Sequence, residues 1–224
     1  MSKSKWTDVD HYFNHHLLEE DPVLESALQS NTRAELPAID VSPSQGKLLY
    51  LLARLQSAKR ILEIGTLGGY STIWLAKALP PDGKVITLEL ESKHAEVAQT
   101  NIERAGLSSQ VEIMLGRAVD SLEALERSGS TPFDFVFIDA DKESLPEYFS
   151  WALKLSRIGS VIIVDNVVRE GAVIDEGSED LRVQGVQRMV ELLSQYTGVE
   201  ATAVQTVGAK GYDGFIIAHV TALT

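Results

Sequence analysis

Two carboxylates and an amine arrive together at Asp139-Ala140-Asp141-Lys142. They follow Phe135-Val136-Phe137-Ile138, an apolar run that predicts a buried strand. An open α/β sheet places ligands just outside the carboxyl ends of its strands, which is where these charges fall. A second run, Ser160-Val161-Ile162-Ile163-Val164, ends in Asp165-Asn166. If the two strands are neighbours, Asp139, Asp165 and Asn166 converge. Three oxygen ligands at one sheet edge suit a hard divalent cation such as Mg²⁺, and Mn²⁺ or Ca²⁺ also accept oxygen. Asp139 alone reads equally well as a helix cap or surface acid. Its pairing with Asp165-Asn166 is what favours the metal.

A second constellation precedes these. Glu63-Ile64-Gly65-Thr66-Leu67-Gly68-Gly69-Tyr70-Ser71 ends one predicted strand and opens a helix. Its glycines permit a tight turn and close approach of a ligand to the backbone. The spacing is not the dinucleotide G-x-G-x-x-G, which argues against a pyrophosphate on the helix N-terminus. Glu63 is expected to point an acid into the crevice, favouring a cationic ligand. Glu89, about two dozen positions on, can accept hydrogen bonds from ribose hydroxyls. A nucleoside with little phosphate and a positive charge fits, and S-adenosylmethionine (SAM) has both adenosine and a sulfonium.

These groups need a frame. Residues 6–20 and Pro22 to Thr32 read as helices. Ser42-Pro43-Ser44-Gln45 is a helix start, with Ser42 capping, Pro43 in the first turn and Gln45 reaching back as in a capping box. From Lys59 onward strands alternate with helices. Predicted strands are 60–64, 84–90, 111–115, 135–138, 160–164, 199–207 and 214–220. The helices between them run to Leu79, then over 92–105, 118–128, 146–155 and 183–196. Gly208 to Gly211 and Asp213-Gly214 supply a hairpin-like connection near the end. Such alternation predicts a doubly wound, mostly parallel α/β sheet in one domain over 1–224, with 1–40 as a helical extension.

The chain has 224 residues, 44% of them apolar, enough for one real core. Lys and Arg number 20 against 32 Asp and Glu, a formal net charge of −12. That charge opposes nucleic acid and anionic membranes as partners. Cysteine is absent, which excludes disulfides, a thiolate nucleophile and Cys-based zinc. No apolar run approaches ~20 residues, so the expectation is a soluble, cytoplasmic protein. His11 and His15 stand at helical i, i+4 spacing but have no third ligand nearby, and His94 and His219 have no constellation. Trp6, Tyr12 and Phe13 read as packing or dimer contacts. Arg169, Glu170, Lys210, Tyr212 and Asp213 follow strands on the active edge and are the candidate substrate contacts.

Taken together, the run Ile61 to Ser71, Asp139-Ala140-Asp141-Lys142 and Asp165-Asn166 resemble the cation-dependent O-methyltransferases, the group of catechol and caffeoyl-CoA O-methyltransferases. The tail Gln205-Thr206-Val207-Gly208-Ala209-Lys210-Gly211-Tyr212-Asp213-Gly214-Phe215 is similar to that of small microbial members. The resemblance runs from about Leu36 to the C-terminus. It implies a Rossmann-like class I methyltransferase fold, seven strands with the last antiparallel, and usually a homodimer. It places Val41, Glu63, Gly65, Thr66, Ser71, Glu89, Ala118, Asp139 and Asp141 around SAM. It makes Asp139, Asp165 and Asn166 the metal ligands and Lys142 the general base toward a catechol-like diol. Two positions depart from the family. Glu170 stands where the plant CoA-ester enzymes have a substrate-touching Asn, and Ala140-Asp141 replaces the His-Trp of the catechol enzyme. Two other classes stay open on residues alone: a nicotinamide-dependent oxidoreductase on a similar sheet, and a non-catalytic ligand-binding protein.

Overall fold

Continuous apolar runs such as Phe135 to Ile138 require cover on both sides, and the chain supplies it. In the computed structural model, which describes residues 3–222, the strands are β1 (Arg60–Ile64), β2 (Lys84–Glu89), β3 (Val111–Leu115), β4 (Phe133–Ile138), β5 (Ser156–Asp165), β6 (Val199–Gly208) and β7 (Gly211–Val220). They form one sheet in the order β3-β2-β1-β4-β5-β7-β6. β1 to β5 pair in parallel, while β7 runs antiparallel between β5 and β6. The chain steps outward from β1 to β3, then crosses back to β4. That reversal opens a crevice above the carboxyl ends of β1 and β4.

The helices are α1 (Lys3–Leu17), α2 (Pro22–Arg33), α3 (Pro43–Leu55), α4 (Tyr70–Ala78), α5 (Ser92–Arg104), α6 (Ala118–Ser128), α7 (Leu145–Lys154) and α8 (Leu181–Gln195), with a short 3₁₀ segment at Arg169–Ile174. Strand alternation sorts the core into two layers. Leu62, Ile64, Val136, Ile138, Ile162 and Val164 face α6, α7 and α8. Ile61, Phe135, Phe137 and Ile163 face α2, α3, α4 and α5. Parallel strands covered on both faces lose the polar alternation of a half-exposed sheet. All six residues of β4 are buried.

Several boundaries differ from the sequence reading, and three of them have an instructive cause. α1 ends at Leu17 because Asp21 must be extended to cap the next helix, accepting from Val23 N and Leu24 N at 3.1 and 3.4 Å, with Pro22 behind it. β5 begins at Ser156, paired to Phe133 across an irregular register. The β6–β7 hairpin turns at Ala209-Lys210, with Gly208 opposite Gly211, so Asp213 lies inside β7. At α3, Ser42 does cap, accepting from Gln45 N at 3.2 Å.

Asp134 locks the amino-terminal edge of the sheet. It accepts from Lys59 N (2.7 Å), Arg60 N (2.9 Å) and Arg157 Nε (2.8 Å), and Arg157 Nη2 lies 2.7 Å away. Burial pushes its pKa up, but the two amides and Arg157 more than offset this, and the carboxyl is held below its usual value. Its stabilisation is therefore present above the ordinary carboxyl pKa and is lost as pH falls through the depressed one. Asp134→Ala should cost about 2–4 kcal/mol at neutral pH, read from urea unfolding, because it strands two amides and a guanidinium.

Candidate active site

Gly65 follows β1 at φ 100°. A side chain there would collide with the backbone carbonyl of Asp139, so glycine lets the ends of β1 and β4 close together. The loop then passes Thr66 and Leu67 to the start of α4. Glu89, at the end of β2, pins it: Thr66 N and Leu67 N donate to Oε2 at 3.1 and 2.8 Å, and Glu91 N donates to Oε1 at 2.9 Å. From behind, Asn101 Nδ2 donates to Gly68 O (2.9 Å) and to Asn31 Oδ1 (3.1 Å). Asn31 Nδ2 in turn donates to Asp40 Oδ1 at 2.7 Å.

Above this loop opens a cavity of about 680 Å³. Val41, Gly65, Thr66 and Ser71 line one side of it, and Glu89 and Ala118 another. Asp139, Asp141 and Lys142 close the third side. Glu63 is absent from the lining, a correction to the sequence reading. It shares the face of β1 that carries Ile61, so it points under α4 and is fully buried. There it accepts from Ser71 Oγ (2.6 Å), Thr87 Oγ1 (2.7 Å) and Thr72 Oγ1. Burial pushes its carboxyl up to about 7, with the three hydroxyls pulling the other way. Ser71 connects this buried acid to the cavity.

The carboxylate corner stands at the ends of β4 and β5. The register pairs Ile138 with Val164, which sets Asp139 beside Asp165. Asp165 is only 4% exposed. Burial first, and then the charge of Asp139, drive its pKa up, while Lys142 and a hydrogen bond from the Gln45 side chain act against the rise. Asn166 follows at φ 55°, a left-handed conformation rare outside glycine. Lys142 is buried, and its Nζ donates to Asp139 Oδ1 at 2.9 Å. Gly185 of α8 abuts the Lys142 carbonyl so closely that a methyl group would not fit. Asp141 takes Tyr148 Oη at 2.6 Å and Ser144 N at 3.1 Å. Burial and Asp141 together raise the Tyr148 pKa, so it stays a neutral donor.

Among the described residues no three His, Cys, Asp or Glu side chains gather as a metal group. The corner instead offers two carboxylates and the Asn166 amide. An all-oxygen set with a buried carboxylate short of compensating charge fits a hard cation.

A second cavity of about 240 Å³ adjoins the corner, lined by Asp165, Asn166, Lys210 and Asp213 together with Asp10 and Gln45. Asn166 touches both cavities. Of the five candidate substrate residues, Lys210 and Asp213 line the second cavity and Arg169 the first. Glu170 and Tyr212 line neither. Glu170 sits at φ 57° on the strap after Asn166. The Tyr212 hydroxyl is bonded to Gln205, and its ring faces Gly171. Sequence reasoning missed Gln45, Asp10 and Tyr148. Gln45 looked like a capping-box residue, and nothing local reveals that its amide turns to Asp165. Asp10 accepts from Ala209 N at 2.7 Å, a contact between opposite ends of the chain.

A family model described as O-methyltransferase matches residues 14–218. The chain belongs to the O-methyltransferase family. It is 54% identical over 220 residues to the catechol O-methyltransferase of Niastella koreensis, covering 98% of this chain and 100% of that one. The structure of the Bacillus cereus O-methyltransferase in complex with S-adenosylhomocysteine superposes with a TM-score of 0.97 at 58% identity, covering 98% of this chain and 100% of that one. The Streptomyces achromogenes O-methyltransferase TomG, involved in tomaymycin synthesis and solved with SAM, gives 0.96 at 54% identity, covering 99% and 100%. Both rival classes fall. Glu89 already occupies the Thr66 and Leu67 amides that a pyrophosphate would need, and the kinship is to enzymes.

In this O-methyltransferase the buried Glu63 makes a pH prediction. Its raised pKa means the stabilising contribution is full below the ordinary carboxyl value of 4.5 and is lost as pH rises through about 7. Unfolding free energy should fall by roughly 2–3 kcal/mol over this range on account of Glu63. Glu63→Gln should remove the Glu63 share of that slope in urea titrations across pH, leaving the slope of the same sign due to Asp165, whose pKa is also raised to about 7. An unchanged curve would assign Glu63 an ordinary pKa.

Proposed function

We propose that this O-methyltransferase transfers a methyl group from SAM to one hydroxyl of a vicinal dihydroxy aromatic, with a divalent cation held by Asp139, Asp165 and Asn166. The observation that carries the reading is the corner where Asp139, the buried Asp165, Asn166 and Lys142 meet at the junction of two cavities. The larger cavity suits SAM. Asp40, Glu89 and Asp141 give it an acidic lining complementary to a sulfonium and an ammonium. Glu89 is the acceptor for the ribose. Three of its lone-pair sites already hold backbone amides, and His94 Nδ1 faces Oε1 at 3.3 Å. His94 must therefore yield its place to a ribose hydroxyl.

Methyl transfer from a sulfonium is an in-line displacement, so alignment supplies much of the rate. A bound Mg²⁺, Mn²⁺ or Ca²⁺ supplies a chelating point for adjacent hydroxyls and a charge that favours the ionised oxygen. The chain's own residues do the rest. Asp165 and Asp139 fix the acceptor end, and Gln45 orients Asp165. Lys142, held by Asp139 and backed by Gly185, takes the hydroxyl proton on Nζ in its amine form. A cation beside it favours that form. The acceptor ring sits at the corner where the two cavities meet, between Arg169 on the larger and the wall that α1 and the β6–β7 hairpin give the smaller.

We further read the protein as a cytoplasmic homodimer. Tyr12, Phe13 and Leu17 expose apolar surface on α1, and most of edge strand β6 lies open beside them. No helix among the described residues is long and apolar enough to cross a membrane.

With SAM and Mg²⁺ the protein should methylate catechol, and a chelator should abolish turnover. Lys142→Ala should lower kcat by about 10²–10⁴ while the melting shift given by S-adenosylhomocysteine persists. Near-normal turnover of that variant would remove the lysine from the mechanism. Stabilisation by NAD and not by SAM would overturn the cofactor.

A further inference from the structure

We propose that Arg169 reads a carboxylate on the substrate ring, so that the preferred acceptor is an anionic vicinal diol rather than a neutral catechol. This rests on the functional reading above and narrows its substrate class.

The strap after Asn166 is built to hold Arg169 in place. Asn166, Arg169 and Glu170 all adopt φ between 55° and 57°. Non-glycine residues in that region are strained and persist only where surrounding bonds over-determine them. Asp213 supplies those bonds, its Oδ1 accepting from Val168 N and Arg169 N at 3.0 Å each, while Val167 N donates to Gly214 O at 3.0 Å. The strap thus runs from the metal-ligating Asn166 straight to Arg169, with its backbone fixed on β7.

The guanidinium at the end of this strap is not satisfied. Arg169 Nε is shielded from solvent and has no hydrogen-bond partner. The closest acid, Asp213 Oδ2, lies 4.0 Å from Nη1, too far for a hydrogen bond. Asp180 feels the charge of Arg169 but is bonded to Arg182. Arg157 shows the contrast, gripping Asp134 with Nε and Nη2 at 2.8 and 2.7 Å. A structural arginine in this protein has its carboxylate, and Arg169 has none in hydrogen-bond contact among the described residues.

Its surroundings select the ligand. Arg169 lines the larger cavity beside Asn166 and Lys142. Lys142 is committed to Asp139. His94 and Arg117, the other cations on the lining, stand at the β2–β3 end. An acceptor seated at the corner therefore meets one free guanidinium, whose planar fork matches a carboxylate. SAM also carries a carboxylate, and the test must separate the two sources.

A dihydroxybenzoate with adjacent hydroxyls and its neutral amide are the two acceptors, each assayed with Mg²⁺ and SAM on the wild type, Arg169→Met and Arg169→Lys. The wild type should favour the benzoate by about tenfold or more in kcat/KM. Arg169→Met should bring the ratio toward one, and Arg169→Lys should restore part of it. A wild-type ratio of one overturns the proposal without any variant, even if Arg169→Met fails to fold. A raised KM for SAM with both acceptors alike also overturns it, assigning Arg169 to the cofactor. Methylation of neither acceptor sinks the functional reading, and this inference with it.

Discussion

Asp165 ends β5 almost out of contact with water, and the charge of Asp139 lies beside it. Two carboxylates in such a place repel each other and lose hydration, so their ionised forms need compensation. Lys142 supplies one positive charge, and the Gln45 amide supplies a hydrogen bond. In the proposed mechanism a divalent cation would fill the remaining deficit. Much of the structure serves to maintain this tension. The parallel sheet is covered on both faces, so the carboxyl ends of β4 and β5 emerge side by side, with Asp165 shielded from water. Gly65 lets β1 close on Asp139, and Gly185 lets α8 close on Lys142. A looser frame would let the acids separate into solvent, where each would be hydrated on its own.

The same economy of acids appears elsewhere in the fold, with different outcomes. Asp134 is surrounded by two amides and an arginine, and its pKa falls. Glu63 is surrounded by three hydroxyls with no cation, and its pKa rises to about 7. Glu89 uses three of its lone-pair sites to clamp backbone amides, two of them in the glycine loop. The three residue environments thus give a structural lock, a neutral-leaning floor and a loop clamp. Only the Asp139–Asp165 pair combines burial, like charge and access to a cavity, and that combination marks it for chemistry.

Legibility in the sequence followed the range of the interaction. Strand and helix positions were readable because continuous apolar runs and caps such as Ser42-Pro43 are local. The meeting of Asp139 with Asp165 was readable because two similar strands end in acids and parallel neighbours align their ends. Glu63 was misplaced because the end of a strand does not tell which face its last residues take. That face was fixed by Ile61 packing under α4. Gln45 and Asp10 escaped because their partners lie far along the chain, and a local capping pattern gave Gln45 a simpler task. Of the candidate substrate residues, Glu170 and Tyr212 failed to reach a cavity because the strap and the hairpin turn them aside. The resemblance to cation-dependent O-methyltransferases added the expected general-base role of Lys142 and the expectation that Val41 and Ala118 lie beside the cofactor. The unsatisfied guanidinium of Arg169 appears only in three dimensions.

The central claim is that the carboxylate corner is a divalent cation site. Electron paramagnetic resonance of Mn²⁺ titrated into the metal-free protein tests it without any substrate. One tightly bound ion per chain is expected, displaced by Mg²⁺ and lost in both Asp139→Asn and Asp165→Asn. Mn²⁺ that stays free in the wild type, or binds undiminished in both variants, would contradict it.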